Sequence, residues 1–288
     1  MMLKALGAAI NTLARLSPKL AGRVALRLFI SPRRVAISPQ SQAYLDKAEQ
    51  LHINWVEQLA GYRFQPKQLT DDDAPPTRVL LVHGWESHAG RWVPLIQRLR
   101  KAGCEVTAFD GPAAGRSSGK KTPFNAYIDA IRQVERHFGP YDAMVGHSLG
   151  AGVVAQLLNR LSDERVPARA VLMAGFDESN HVFDRYHAML SLDDRVRASF
   201  DTRIVAQLSG APGEATIRDY SNTAALAQCG DIDGLVVHSI DDEVSPYCEG
   251  VALHEAWPNS RLLTFENERH RLTGKRVLEA VVEFVARR

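Results

Sequence analysis

The hydrophobic pattern changes character along the chain. Leu3, Leu6, Ile10 and Leu13 recur at helical spacing, and Leu20, Val24 and Leu28 continue an apolar face to about Ile30. Between them Ser17-Pro18 reads as a helix start, with serine capping and proline first inside. A further helix is expected over about 42–59, followed by the polar connector Asp71-Asp72-Asp73-Ala74-Pro75-Pro76. From Arg78 onward, short apolar runs alternate with amphipathic helical stretches. Strands are predicted at 79–83, 106–109, 143–146, 170–173, 235–238 and 262–265. Helices are predicted at 91–102, 123–138, 149–161, 246–257 and 273–286.

Uninterrupted β-rich runs suit strands covered on both faces, as parallel sheets require. The alternation predicts an α/β fold with a doubly wound, mostly parallel sheet, whose ligands sit beyond the carboxyl ends of its strands. One interval, about 175–234, breaks the rhythm with helical patches and no convincing strand. A long insertion at a strand's carboxyl end is a candidate lid. The expected organisation is an N-terminal helical arm and connector over 1–77 and a core over 78–288.

Composition narrows the classes. With 45% hydrophobic residues the chain is globular, and a net charge of +2 offers no field to attract nucleic acid. Cys104, Cys229 and Cys248 are odd in number and far apart, which argues against a disulfide framework or a zinc site. A reducing, cytoplasmic setting is the expectation, with no metal and no cofactor. No apolar run approaches the ~18 residues that span a bilayer, and no secretory signal is expected because arginines interrupt the apolar stretches.

Charge is unevenly spread. Lys4, Arg15, Lys19, Arg23, Arg27, Arg33 and Arg34 precede any acidic residue, so the remaining chain is net acidic. Cationic amphipathic helices dock their apolar face on a core or on a second copy of the chain, or else lie on an anionic membrane. Docking is the default expectation; peripheral membrane contact through 1–34 is the alternative.

The chemistry-bearing residues fall at predicted strand ends. Gly146-His147-Ser148-Leu149-Gly150 lies between a strand and a helix, the context of a nucleophile elbow. A serine in so sharp a turn needs neighbours without bulky side chains, and the following helix points its amino-terminal N–H groups at the reacting centre. Serine also needs a base. His254 sits in a predicted helix, whereas His270 follows the last strand and is the expected base. Acid candidates are Asp241, Asp242 and Glu243 in one turn, with Asp177 after an earlier strand as a further choice. His83-Gly84-Trp85 follows the first parallel strand. There Gly84 permits a tight turn, His83 has a structural role, and the Trp85 N–H joins that of Leu149 as oxyanion donor.

These motifs together resemble the α/β-hydrolase superfamily over Arg78 to Arg288. His83-Gly84-Trp85 is similar to its oxyanion turn, and Asp110-Gly111-Pro112-Ala113-Ala114-Gly115-Arg116-Ser117 to its Asp-x-Pro-x-x-Gly-x-Ser loop. Gly146 to Gly150 is similar to its elbow, and the segments at Asp242 and His270 to those of its acid and histidine. Ala114 stands where histidine is common, Ser239 where glycine is frequent, and no clear pair of antiparallel leading strands precedes Arg78; only 62–69 resembles a remnant. The resemblance implies Ser148 as nucleophile, His270 as base and Asp242 as acid, acting on a small-molecule acyl substrate, first of all a carboxylic ester. Thioester, amide and carbon–carbon bond hydrolysis are the alternatives of the same fold, and a ligand-binding module that keeps the three residues is the alternative of another class. Serine in the elbow argues against dehalogenation and epoxide hydrolysis, which use aspartate there. A homo-oligomer is compatible with the sequence.

Overall fold

The computed structural model describes residues 2–67, 75–161, 165–177, 179–209 and 221–287. In chain order its elements are α1 (Met2–Leu16), α2 (Pro18–Phe29), α3 (Pro39–Leu45), β1 (Glu49–Asn54), β2 (Gln58–Phe64), β3 (Arg78–Val82), α4 (Val93–Lys101) and β4 (Glu105–Phe109). There follow α5 (Phe124–Phe138), β5 (Ala143–His147), α6 (Leu149–Leu158), β6 (Arg169–Met173), α7 (Ser179–Leu190), α8 (Asp194–Ser209) and α9 (Asn222–Leu226). The chain closes with β7 (Asp233–Ser239), α10 (Tyr247–Ala256), β8 (Ser260–Phe265) and α11 (Lys275–Ala286).

The strands form one sheet in the order β1-β2-β4-β3-β5-β6-β7-β8. From β4 to β8 every neighbouring pair is parallel, while β1–β2 and β2–β4 are antiparallel. Side chains of successive residues point to opposite faces. In β3, Val79 and Leu81 therefore meet Leu95, Ile96 and Phe284 of α4 and α11. Leu80 and Val82 meet Ile128, Ile131 and Val154 of α5 and α6 on the other face. Both faces are covered, which is why these strands read as unbroken apolar runs.

Two expectations fail before β3. The stretch 42–59 is not one helix: α3 ends at Leu45, and β1 and β2 follow as a hairpin. Leu51 and Ile53 are buried in alternation along β1, and Leu59, Tyr62 and Phe64 are buried along β2. The leading antiparallel pair is thus present, and β2 ends at Phe64 rather than reaching 69. The connector at 71–74 and the middle of the insertion, 210–220, lie outside the described residues.

The arm docks. Ser17 caps α2 by accepting from the Leu20 N–H, with Pro18 in the first turn. Ile10, Ala14, Ala21 and Ala25 pack with Phe183, Val196, Phe200 and Ile204 of α7 and α8 in a third apolar cluster. The link to α3 is pinned as well. Arg33 pairs with Glu86 at 2.6 Å. Arg34 Nη1 donates to the carbonyls of Ala114, Gly115 and Ser117 at 3.1, 2.6 and 2.7 Å. Two of the arm's cations therefore serve its attachment. Among the described residues no helix is long and apolar enough to cross a membrane.

Candidate active site

Ser148 stands between β5 and α6 with φ 54° and ψ −122°. A non-glycine residue there costs of order 1–3 kcal/mol, which the surrounding structure must supply. It does so through close backbone packing. A Cβ on Gly150 would stand 2.4 Å from the Val82 carbonyl oxygen and 2.6 Å from that of His83, so only glycine lets α6 rise this close to β3. Gly146, in β5, pairs with Val82 and Leu172 across the sheet. The Ser148 N–H donates to Met173 O at 2.9 Å, fixing the turn to the neighbouring strand.

His270 Nε2 lies 2.9 Å from Ser148 Oγ, and its Nδ1 lies 2.8 and 3.1 Å from the two oxygens of Asp242. The Asp242 side chain is fully buried. Burial raises its carboxyl, but the His270 hydrogen bond and the N–H groups of Ser245 and Val244 outweigh it and hold the group below its ordinary value. A carboxylate so placed selects the His270 tautomer with hydrogen on Nδ1, leaving Nε2 free to accept from serine.

The competing residues are engaged elsewhere. Asp241 accepts from Ser239 Oγ at 2.5 Å rather than from His270. Asp177 accepts from Ser221 Oγ and the Thr223 N–H at the start of α9. His254 bonds Ser260 Oγ at 2.8 Å, at the first residue of β8.

His83 donates from Nδ1 to Gly84 O at 2.8 Å and accepts from the Gly111 N–H at Nε2, 2.9 Å. Burial pushes its pKa down to about 4, despite the opposing charge of Asp110. It is a neutral brace of the turn. Asp110 does the companion work: its oxygens accept from the Ala89 and Arg116 N–H groups and from Tyr62 OH. A Cβ on Gly84 would come within 3.0 Å of Ser148 Cβ, so the turn lies directly against the elbow.

Two supports were not singled out from the sequence. His147 Nε2 donates to His270 O at 2.7 Å, and Arg91 Nη2 to Arg271 O at 3.0 Å, so the short loop that carries His270 is held at two successive carbonyls. His147 could have been suspected from its place inside the elbow; Arg91 carries no local signal.

Ser148, Leu149, Trp85 and His270 open into a cavity of about 190 Å³ whose other walls are mostly apolar. Phe124 opens α5, Phe176 follows β6 at the start of the insertion, Phe183 and Ile204 come from α7 and α8, and Phe29 and Ile30 from the end of α2. Phe29 stacks on Trp85 at 5.8 Å between centroids and meets Phe183 and Phe200 edge-on. The arm thus forms part of the cavity wall. Among the described residues no group of His, Cys, Asp or Glu is clustered as metal ligands are.

Comparison with known proteins agrees with this architecture. The model of the alpha/beta hydrolase family matches residues 79–283. A monoacylglycerol lipase of Mycolicibacterium smegmatis is 32% identical over 104 residues, 33% of this chain and 37% of that protein. A lysophosphatidylserine lipase of Danio rerio is 25% identical over 191 residues, 64% of this chain and 48% of that protein. The chain thus spans less than half the length of either curated relative. Among solved structures, a putative hydrolase from Agrobacterium vitis has a TM-score of 0.61 at 18% identity, covering 82% of this chain and 96% of its own. The monoacylglycerol lipase of Paleococcus ferrophilus has a TM-score of 0.57 at 19% identity, covering 79% and 98%. At these identities the structural likeness is one of fold.

Proposed function

The chain belongs to the alpha/beta hydrolase family, and from that premise we propose that it cleaves carboxylic esters through an acyl-serine intermediate. The observation that carries the reading is the hydrogen-bonded line from Ser148 Oγ through His270 to buried Asp242, opening at one end into an apolar cavity. In the proposed reaction Ser148 Oγ bonds to the ester carbonyl carbon while its proton passes to His270 Nε2. The Trp85 and Leu149 N–H groups stabilise the oxyanion, a contribution of about 10²–10³ in rate for one such donor. Collapse breaks the bond to the alcohol oxygen, and the alcohol leaves with the proton from His270. Water then attacks the acyl carbon by the same path, giving carboxylic acid and free Ser148. Asp242 holds the tautomer and stabilises the imidazolium.

The aromatic and aliphatic walls favour an apolar acyl group, and the lipase names of two curated relatives support the same substrate class. The insertion and the arm act together as the lid over this group. The arm's outer face has a second role, contact with anionic lipid. Leu3, Leu6, Leu16, Leu20 and Leu28 remain exposed there beside Lys4, Arg15, Lys19, Arg23 and Arg27, the composition of an interfacial helix pair. The three unpaired cysteines suit a reducing, cytoplasmic setting.

A panel of esters of increasing acyl length, with matched thioesters and amides, tests the reading on wild type and Ser148→Ala. Esters are expected to be cleaved fastest and the variant to lose at least about 10³-fold. Thioesters or amides cleaved faster than the matched esters would move the substrate class, and a slow, stoichiometric release would indicate a binding module.

A further inference from the structure

A second chamber meets the first at Ser148. A groove of about 680 Å³ runs from Ser148 and His270 past the turn at Gly84–Arg91 to the strand of chain that joins α2 to α3. Its walls are more polar than those of the cavity, and they include Ser38, Ser41, Ser87, His88, Arg91 and Arg271.

The charge of this groove is one-sided. Glu86 is on its wall, but Arg33 already neutralises it through its main-chain N–H and its guanidinium at 2.6–3.0 Å. Arg271 is exposed, and among the described residues neither it nor Arg91 takes part in an ion pair. Arg91 is partly buried, stacked 4.6 Å over the Trp92 ring. Its Nη2 reaches Arg271 O, yet its Nη1 is buried without a hydrogen-bond partner, and so is Nδ1 of His88 three residues earlier. A guanidinium nitrogen kept from water without a counter-charge is costly, and two orphaned nitrogens on one turn compound the cost. Burial and the neighbouring Arg271 accordingly push the Arg91 pKa down to about 9.

An anion in the groove supplies the counter-charge that Arg91 and Arg271 lack, and the layout says which part of a substrate brings it. The two chambers join at the nucleophile, so an ester with its acyl group in the apolar cavity extends its alcohol part into the groove. Two guanidinium groups and three serine hydroxyls are more donors than the two oxygens of a carboxylate can use, and a phosphate offers more acceptors. We propose that the groove is the subsite for the alcohol half of the substrate and that this alcohol carries a phosphate group, recognised by Arg271 and Arg91. The proposal rests on the ester-hydrolase reading of Ser148 and adds to it a selectivity for phosphorylated over neutral alcohols.

The test compares the decanoyl monoester of glycerol with the decanoyl monoester of glycerol phosphate, both kept below their aggregation limits, together with calorimetric binding of glycerol phosphate and of glycerol to the full chain. The phosphate-bearing ester is expected to show about tenfold higher kcat/KM, as one charge-assisted hydrogen-bonded contact provides. Arg271→Gln should erase most of that ratio, Arg271→Lys should keep part of it, and added salt should shrink it in wild type. Because Arg271 is exposed, its variants are expected to fold; Arg91→Gln, which also frees the His270 loop, is read only alongside them. Equal kcat/KM for the two esters, or a ratio untouched by Arg271→Gln, overturns the proposal while leaving ester hydrolysis standing. Cleavage of neither ester, with Arg271-dependent binding of glycerol phosphate and none of glycerol, retains the anion subsite and removes the hydrolase reading.

Discussion

Replacing Asp242 with asparagine tests the electrostatic half of the site without changing its shape. The carboxylate accepts from three groups at once: His270 Nδ1, within 2.8 and 3.1 Å of its two oxygens, and the N–H groups of Val244 and Ser245 at 2.8 and 2.9 Å. Asparagine retains one oxygen, and the two backbone N–H groups converge on the same Oδ1, so they keep it. The amide NH₂ then faces His270 Nδ1. Two donors cannot share that contact, so His270 turns to the tautomer with hydrogen on Nε2. That nitrogen can no longer take the Ser148 proton. In serine proteases the equivalent change costs about 10⁴ in kcat, and this site, with His270 one-fifth exposed, is expected to lose at least about 10²-fold. Asp241→Asn, altering a partly exposed carboxylate bound to Ser239, should change kcat only a few fold. The assay is steady-state hydrolysis of a nitrophenyl ester, with thermal unfolding run in parallel to show that both variants are folded. Full activity in Asp242→Asn, or inactivity in Asp241→Asn instead, would refute the assignment of the acid.

Three further outcomes follow from the same structure. Gly150→Ala places a methyl group 2.4 Å from Val82 O, so it should lower stability by about 1–3 kcal/mol or more and abolish activity; an unchanged melting temperature contradicts the packing described. His83 is held neutral with a folded-state pKa of about 4 against an ordinary value of 6.5. The unfolded chain therefore binds the extra proton as pH falls below 6.5, and stability should drop by about 2 kcal/mol between pH 7 and pH 5 from this residue alone; a denaturation midpoint flat over that range speaks against its neutral burial. Leu16→Glu with Leu20→Glu should prevent flotation with anionic vesicles while leaving activity on soluble esters intact; flotation unchanged in this variant would remove the membrane role of the arm, and equal flotation of the wild type with neutral vesicles would remove the part played by anionic lipid.

What could be read from the sequence was what is local. A strand, a sharp turn and a helix are consecutive, so the placement of Ser148 between β5 and α6 is written in one short segment. His270 and the acidic turn follow strands for the same reason; spacing alone leaves the adjacent carboxylates open, the family resemblance points to Asp242, and the packed loop shows that its side chain faces His270. The hairpin of β1 and β2 escaped because Leu45, Leu51 and Leu59 suit a helical face as well as a strand. The contact that decides the matter is the pairing of β2 with β4, from Gly61–Phe109 to Phe64–Val106, more than forty positions along the chain. The arm shows the same limit. Its apolar stripe announced that something must cover it, but not that α7 and α8 would, nor that Phe29 would reach the cavity beside Ser148.

The most direct measurement is the covalent one. The protein is mixed with a nitrophenyl ester, quenched in acid within the first turnover, and digested for peptide mass spectrometry. The account predicts one acyl group on Ser148, formed and lost at rates that match steady-state turnover, and absent from Ser148→Ala. Sustained ester turnover by properly purified Ser148→Ala, or an acyl group found on another residue with Ser148 unmodified, would contradict it.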